Sequence, residues 1–125
     1  MKLDWNVGLV AHLGIEFVEV SADRVVARLI VTEKLLTTTG VVHGGTLMAF
    51  ADTIGAAGTV ANLAEGQRTA TLESKTNFIA GCKSGVIQAV ATPIHKGRRT
   101  QVWETRITDE GGKLLSVTTQ TQMIL

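Results

Sequence analysis

His43-Gly44-Gly45 and a single carboxylate, Asp52, share one stretch, VVHGGTLMAFADTIGAAGTV, at residues 41–60. Every other residue of that stretch is apolar, small or threonine. An ionised carboxylate in such surroundings is costly unless its oxygens find partners. Asp52 is therefore either a structural acid satisfied by backbone and hydroxyl groups, or a reactive one. The glycines bear on that choice. The first turn of a helix carries free backbone N–H groups that favour negative charge, and glycine lets a ligand approach them closely. Such a place can stabilise the oxyanion formed when an acyl carbonyl is attacked. The plain alternative is that Gly44 and Gly45 only serve a tight loop-to-helix turn. His43 reads as a general base, a donor to a substrate carbonyl or a residue that fixes the loop. Donor or positioning is favoured, because Asp52 already supplies a carboxylate.

Spacing adds a constraint. Gly44 and Asp52 are eight positions apart, roughly 12 Å along a helix. A base or nucleophile must come within about 3 Å of its target, and so must an oxyanion donor. One chain cannot bring both to the same carbonyl. If both act, they belong to different subunits. Two antiparallel helices across a two-fold axis would set each Asp52 near the partner's Gly44.

The elements that must hold these residues follow from periodicity. Residues 45–64 form the one long helix candidate, capped or opened by Thr46 and ended by Glu65-Gly66. It is apolar on nearly all sides, as a helix wrapped by other structure would be. Gly55, Ala56, Ala57 and Gly58 make it thin, so that other backbone can approach. Residues 3–12 predict a short helix closed by Gly14. Residues 15–20 and 23–31 predict strands, the second with Val25, Ala27, Leu29 and Val31 on one face. Residues 33–42 predict a loop. Three or four antiparallel strands follow, over 69–79, 85–95, 99–108 and 113–123, with a hairpin turn at Asp109-Glu110-Gly111-Gly112. Pro93 marks an edge or a bulge. One helix against one antiparallel sheet is an α+β arrangement, with the sheet curled around the helix.

The length of 125 residues predicts one domain over 1–125. Charged residues are 18% and hydrophobic ones 45%, which leaves little charged surface and predicts a homo-oligomer. A net charge of +1 gives no whole-chain field toward nucleic acid or membrane. Aromatic residues are 4%, with no tyrosine, so base-stacking platforms are not expected. Cys82 is alone, and His12, His43 and His95 lack ligand spacing, so neither a disulfide framework nor a metal site is expected. The N-terminus lacks the apolar run of a signal peptide, and a central Asp disfavours a membrane span. A cytoplasmic location fits. Lys96, Arg98 and Arg99 flank Gly97 and read either as a solvated turn or as a phosphate clamp, which Lys75 and Lys83 could join.

The segment VVHGGTLMAFADT, residues 41–53, resembles the hotdog-fold acyl-CoA thioesterases of the phenylacetate-pathway branch, within the 4-hydroxybenzoyl-CoA thioesterase superfamily. TLESKTNFI at 71–79 resembles the strand that follows the helix in that family. GRRTQVWETRITDEGGKLLSVTTQTQMIL at 97–125 is similar to the C-terminal strands of the menaquinone-pathway and aryl-CoA thioesterases. The resemblance implies a long helix wrapped by a curved antiparallel sheet, a dimer joined through that sheet and a dimer of dimers. It implies hydrolysis of an aryl- or medium-chain acyl-CoA without metal or bound cofactor, coenzyme A being part of the substrate. The family's carboxylate maps onto Asp52, its oxyanion amide onto Gly44 or Gly45, and its motif histidine onto His43. Its strand hydroxyl near the attacking water maps onto Thr71. Relatives carry Asn or Gln six positions before the histidine, where this chain has Thr37. Asp rather than Glu at position 52 points to the phenylacetyl branch, against the C-terminal similarity. Two alternatives stand beside this reading: a non-catalytic acyl-CoA binding module and an enoyl-CoA hydratase. The hydratase would pair Asp52 with a later histidine on the helix, and none follows there.

Overall fold

The computed structural model describes residues 3–125. Helix α1 (Gly8–Leu13) is shorter than the 3–12 expected and ends where Gly14 turns left-handed at φ 77°. Strands β1 (Glu16–Val20) and β2 (Val25–Ile30) form a hairpin. A single 3₁₀ turn (Glu33–Leu35) leads to helix α2 (Gly44–Val60), and four strands follow: β3 (Thr69–Phe78), β4 (Val86–Lys96), β5 (Thr100–Thr108) and β6 (Leu114–Ile124). The six strands make one curved antiparallel sheet in the order β1-β2-β4-β5-β6-β3. The α+β, hotdog arrangement is therefore as expected.

Alternation sets which side chains meet α2. Val25, Ala27 and Leu29 of β2, Ile87, Ala89 and Ala91 of β4, and Trp103 and Ile107 of β5 are all fully buried. They pack with Leu47, Phe50 and Ile54 of α2 in one core. Burying each large side chain is worth about 1.5–3 kcal/mol. Pro93 sits in an interior strand, and the β4–β5 register shifts between Pro93 and His95. It marks a bulge, not an edge. The turn after β5 closes through Asp109, whose Oδ1 accepts from the N–H groups of Gly111 and Lys113.

The sheet reaches only part of α2. Met48, Ala49, Asp52, Thr53 and Ala56 fall on one helical stripe and stay exposed or half-buried. So the all-round apolar pattern marks a helix with one face fully covered by its own chain and one only half covered. β1 and β3 are the free edges of the sheet.

Three details of α2 differ from expectation. It opens at His43, not Thr46; the Thr46 hydroxyl instead donates to Leu35 O at 3.1 Å. It ends at Val60 and not near Glu65, because Asn62 Nδ2 donates to Gly58 O and Ala22 O, at 2.8 and 2.9 Å, and ties the helix end to the β1–β2 turn. The thin face of the helix admits side chains, not backbone. A Cβ on Gly58 would meet the Trp103 ring at 2.5 Å, and one on Gly55 would meet Gln120 Oε1 at 2.1 Å.

Candidate active site

The backbone of His43 is extended, at φ −62° and ψ 136°, and its ring folds back onto the helix. His43 Nδ1 accepts from the Gly45 N–H at 2.7 Å. A nitrogen that accepts carries no proton, so the neutral ring holds its proton on Nε2. This fits the donor or positioning role and leaves no acceptor on Nε2 for base work. It also corrects one expectation: the Gly45 amide is occupied by His43. The Thr46 amide bonds His43 O at 2.9 Å. Gly44 N–H takes no partner among the described residues and is the open donor of the helix N-terminus.

That amide borders a groove of ≈ 390 Å³, within the usual range for small-molecule sites. Val41, Val42, Leu47, Phe78, Ile79 and Ala80 make its walls mainly apolar, and Thr37 and His43 supply its polar groups. Thr37 is held in a tight turn, its N–H donating to Val41 O at 2.8 Å. A Cβ on Gly44 would lie 3.1 Å from the Phe78 ring, so the first glycine also makes room for that ring. Among the aromatics, Phe78 faces the groove, while Trp103 and Phe50 are core.

Asp52 lies two helical turns further on, half-buried, and does not line this groove. Its Oδ1 accepts from Thr71 Oγ1 at 2.8 Å and from Gln120 Nε2 at 3.1 Å. Its Oδ2 accepts from none of the described residues. Gln120 Nε2 also donates to Gln122 Oε1 at 3.0 Å, and Gln122 Nε2 to Thr69 Oγ1 at 3.0 Å. Thr71 Oγ1 lies within reach of Gln122 Oε1 as well. Thr71 has one proton for these two acceptors, and an ionised carboxylate makes the stronger bond.

A β-bulge aims Thr71. The β3–β6 register shifts between Thr71 and Glu73, leaving Leu72 without a partner. Thr69 and Thr71 thus point to the helix side on one half of the strand. Thr76, bonded to Thr118 Oγ1 at 2.7 Å, points there on the other half. Gln120 and Gln122 did not emerge as site residues from the sequence. Their signal was the alternation Ser116, Thr118, Gln120, Gln122, which puts a polar stripe on the buried face of β6.

The basic turn lies elsewhere. Lys96 Nζ is committed to Asp23 Oδ1 at 2.6 Å and touches Asn62 Oδ1 at 3.3 Å. That places the turn beside the C-terminal end of α2, while Gly44 is at the other end, roughly 24 Å away along the axis. Arg98 and Arg99 enter no ion pair among the described residues. Lys75 Nζ bonds Asn77 Oδ1 at 3.1 Å on β3. No three His, Cys, Asp or Glu of the described residues converge as a metal site, and no helix among them is long and apolar enough to cross a membrane.

Comparison with known proteins gives this geometry a setting. A family model described as the thioesterase superfamily matches residues 39–116. A 1,4-dihydroxy-2-naphthoyl-CoA hydrolase of Listeria monocytogenes is 37% identical over 88% of this chain and 89% of its own length. The crystal structure of a Haemophilus influenzae thioesterase superposes with a TM-score of 0.88 at 36% identity, covering 93% of this chain and 81% of that one. A Staphylococcus aureus protein, 27% identical, has been solved in two variants with TM-scores of 0.92 and 0.90. These cover 94% and 93% of this chain, and 98% and 97% of the other. One variant replaces a glutamate by alanine, the other a glutamine, at positions separated by the same interval as Asp52 and Thr37.

Proposed function

This chain belongs to the thioesterase superfamily, and on that premise we propose that it hydrolyses an aromatic acyl thioester of coenzyme A at a site shared by two copies. It is a thioester hydrolase acting on coenzyme A esters. The finer reading rests on one observation: α2 presents a free amide at Gly44 and a hydrogen-bonded carboxylate at Asp52, too far apart to serve one carbonyl. Each is half of a site. The half-covered stripe of α2 around Asp52 and the free edge of β3 supply surface for a second copy. Antiparallel packing of two α2 helices would pair each Asp52 with the partner's Gly44. It would also carry the Arg98–Arg99 turn of one copy toward the Gly44 end of the other, where the phosphates of coenzyme A could be met.

In this mechanism the acyl carbonyl accepts from Gly44 N–H, with His43 Nε2–H as a second donor at the rim of the groove. The developing oxyanion is stabilised there. Asp52 either takes a proton from water, whose oxygen then attacks, or attacks the carbonyl itself and forms a mixed anhydride that water opens. In both routes the C–S bond breaks and coenzyme A leaves as the thiolate. Thr71 donates to Asp52 and lies beside the water. Thr37, at the groove wall, keeps the same interval from Asp52 as separates the glutamine and glutamate of the Staphylococcus protein, which supports giving its hydroxyl the thioester-positioning role. The name of the Listeria relative and the apolar groove with Phe78 both favour an aromatic acyl group over a medium-chain one.

The test is thiol release from a panel of aryl- and alkyl-CoA esters by the wild-type chain and by Asp52→Asn. The expected result is turnover highest on an aryl ester and lost by at least about 100-fold in the variant. Near-normal turnover by Asp52→Asn would remove the carboxylate from both routes. Single turnover in labelled water then separates the routes, because label entering Asp52 belongs only to the anhydride.

A further inference from the structure

We infer that Gln120 is a positioning residue for Asp52: its buried amide, together with Thr71, pins Oδ1 and so makes Oδ2 the oxygen that works on the thioester. The inference rests on the reading that Asp52 acts on the acyl group.

Three observations carry it. First, both donors converge on the same carboxylate oxygen, and Gln120 Nε2 also reaches the main-chain oxygen of Asp52 at 3.2 Å. One amide that holds both the backbone and the side chain of a residue restricts its rotamer. A carboxylate with one oxygen held by two donors turns its free lone pairs on the other. Second, Gln120 is completely buried, and its Oε1 has no hydrogen-bond partner. A buried acceptor without a partner destabilises the fold, and such a group calls for an explanation. A methionine would fill similar space without the orphan. The N–H₂ group supplies the explanation, for it serves Asp52 and Gln122 at once. Third, the amide fits only because residue 55 is glycine. A Cβ there would stand 2.1 Å from Oε1, and glycine within a helix is itself unfavourable. Two local penalties, in β6 and in α2, thus converge on keeping one amide beside Asp52. Gln122 anchors the arrangement, since its Nε2 bonds Thr69 Oγ1, which in turn donates to Met123 O at 2.8 Å.

The experiment uses the full chain with benzoyl-CoA and hexanoyl-CoA as probes. Gln120→Met removes the donor, and Gly55→Ala displaces it while leaving the glutamine in place. Each is expected to lower kcat about 10- to 100-fold with KM within about twofold, the pattern of a misaligned reacting group rather than of weakened binding. Added to Asp52→Asn, at enzyme concentrations that resolve the residual rate, Gln120→Met is expected to cause no further loss. Wild-type kcat in a folded Gln120→Met overturns the inference, as does an equal loss in the Asp52→Asn background, which would make Gln120 independent of Asp52. If Gln120→Met does not fold, the same comparisons are read from Gly55→Ala. Wild-type turnover by Asp52→Asn itself would instead bring down the reading beneath the inference.

Discussion

Thr71 Oγ1 and Asp52 Oδ1 are 2.8 Å apart, a bond from strand β3 to helix α2 between residues nineteen apart in sequence. It exists because the β3 register shifts just after Thr71. A charge-assisted bond of this kind is worth about 1.5–3 kcal/mol. Thr71→Val keeps the shape and β-branching but removes the proton. The expected outcome is a loss of about tenfold in kcat, smaller than that of Asp52→Asn, while Thr71→Ser retains most activity. Equal rates for Val and wild type would mean that the bond is only structural.

The cap made by His43 and the donor role proposed for it can be separated by substitution. Its Nδ1 caps α2 by accepting from Gly45 N–H, and its Nε2–H is exposed at the groove. Asparagine is a good helix cap and alanine is not, the difference being about 1 kcal/mol. His43→Asn should therefore unfold in urea close to wild type, while His43→Ala loses about that amount. Both should lose activity to a similar degree, because neither supplies the imidazole N–H. An active His43→Asn would show that only the cap matters.

Much of this arrangement was legible in the sequence, and what was not has physical reasons. The glycines and His43 announced a helix start, and the apolar surroundings of Asp52 announced a carboxylate that needs partners, which Thr71 and Gln120 supply. Alternation along β5 separates Trp103, Thr105 and Ile107 from Val102, Glu104 and Arg106, and the structure shows that the first set is the buried one. Alternation alone could not reveal that Leu72 drops out of register, so the inward turn of Thr71 had no local signal. Gln120 was missed because a polar residue in a strand reads as outward-facing, and only tertiary contact with Gly55 shows otherwise. The Gly45 amide looked as free as that of Gly44, since the imidazole's reach back to it depends on the extended His43 backbone.

Gly58 offers a test of packing that is independent of the chemistry. Alanine is ordinarily better than glycine inside a helix by about 1 kcal/mol. Here the added methyl would stand 2.5 Å from the Trp103 ring. That ring is fully buried, and its Nε1 is tied to Gln101 Oε1 at 2.9 Å, so it cannot swing aside. Gly58→Ala should therefore lose about 1–3 kcal/mol in urea unfolding. An unchanged or raised midpoint would mean that the helix slides on the sheet at small cost.

Gly44 allows the shared site to be tested directly. It is the first helical residue after the His43 cap, the position where proline fits a helix best. His43, with ψ at 136°, already has the backbone that proline demands of its predecessor. Gly44→Pro thus deletes one amide and keeps the helix start, while its Cβ, 3.1 Å from the Phe78 ring, displaces that exposed ring slightly; Gly44→Ala, which adds the Cβ and keeps the amide, is the control. The loss in kcat should be about 100- to 1,000-fold, as for other oxyanion donors. The decisive step is to mix that variant with Asp52→Asn, after chain exchange verified by native mass spectrometry. A mixed dimer has one site with both the amide and the carboxylate, and one site with neither. Random exchange should restore about a quarter of wild-type activity, since half of the dimers are mixed and each has one working site. Exchange without recovery would mean that each chain holds its whole site, and the two-copy reading would fall.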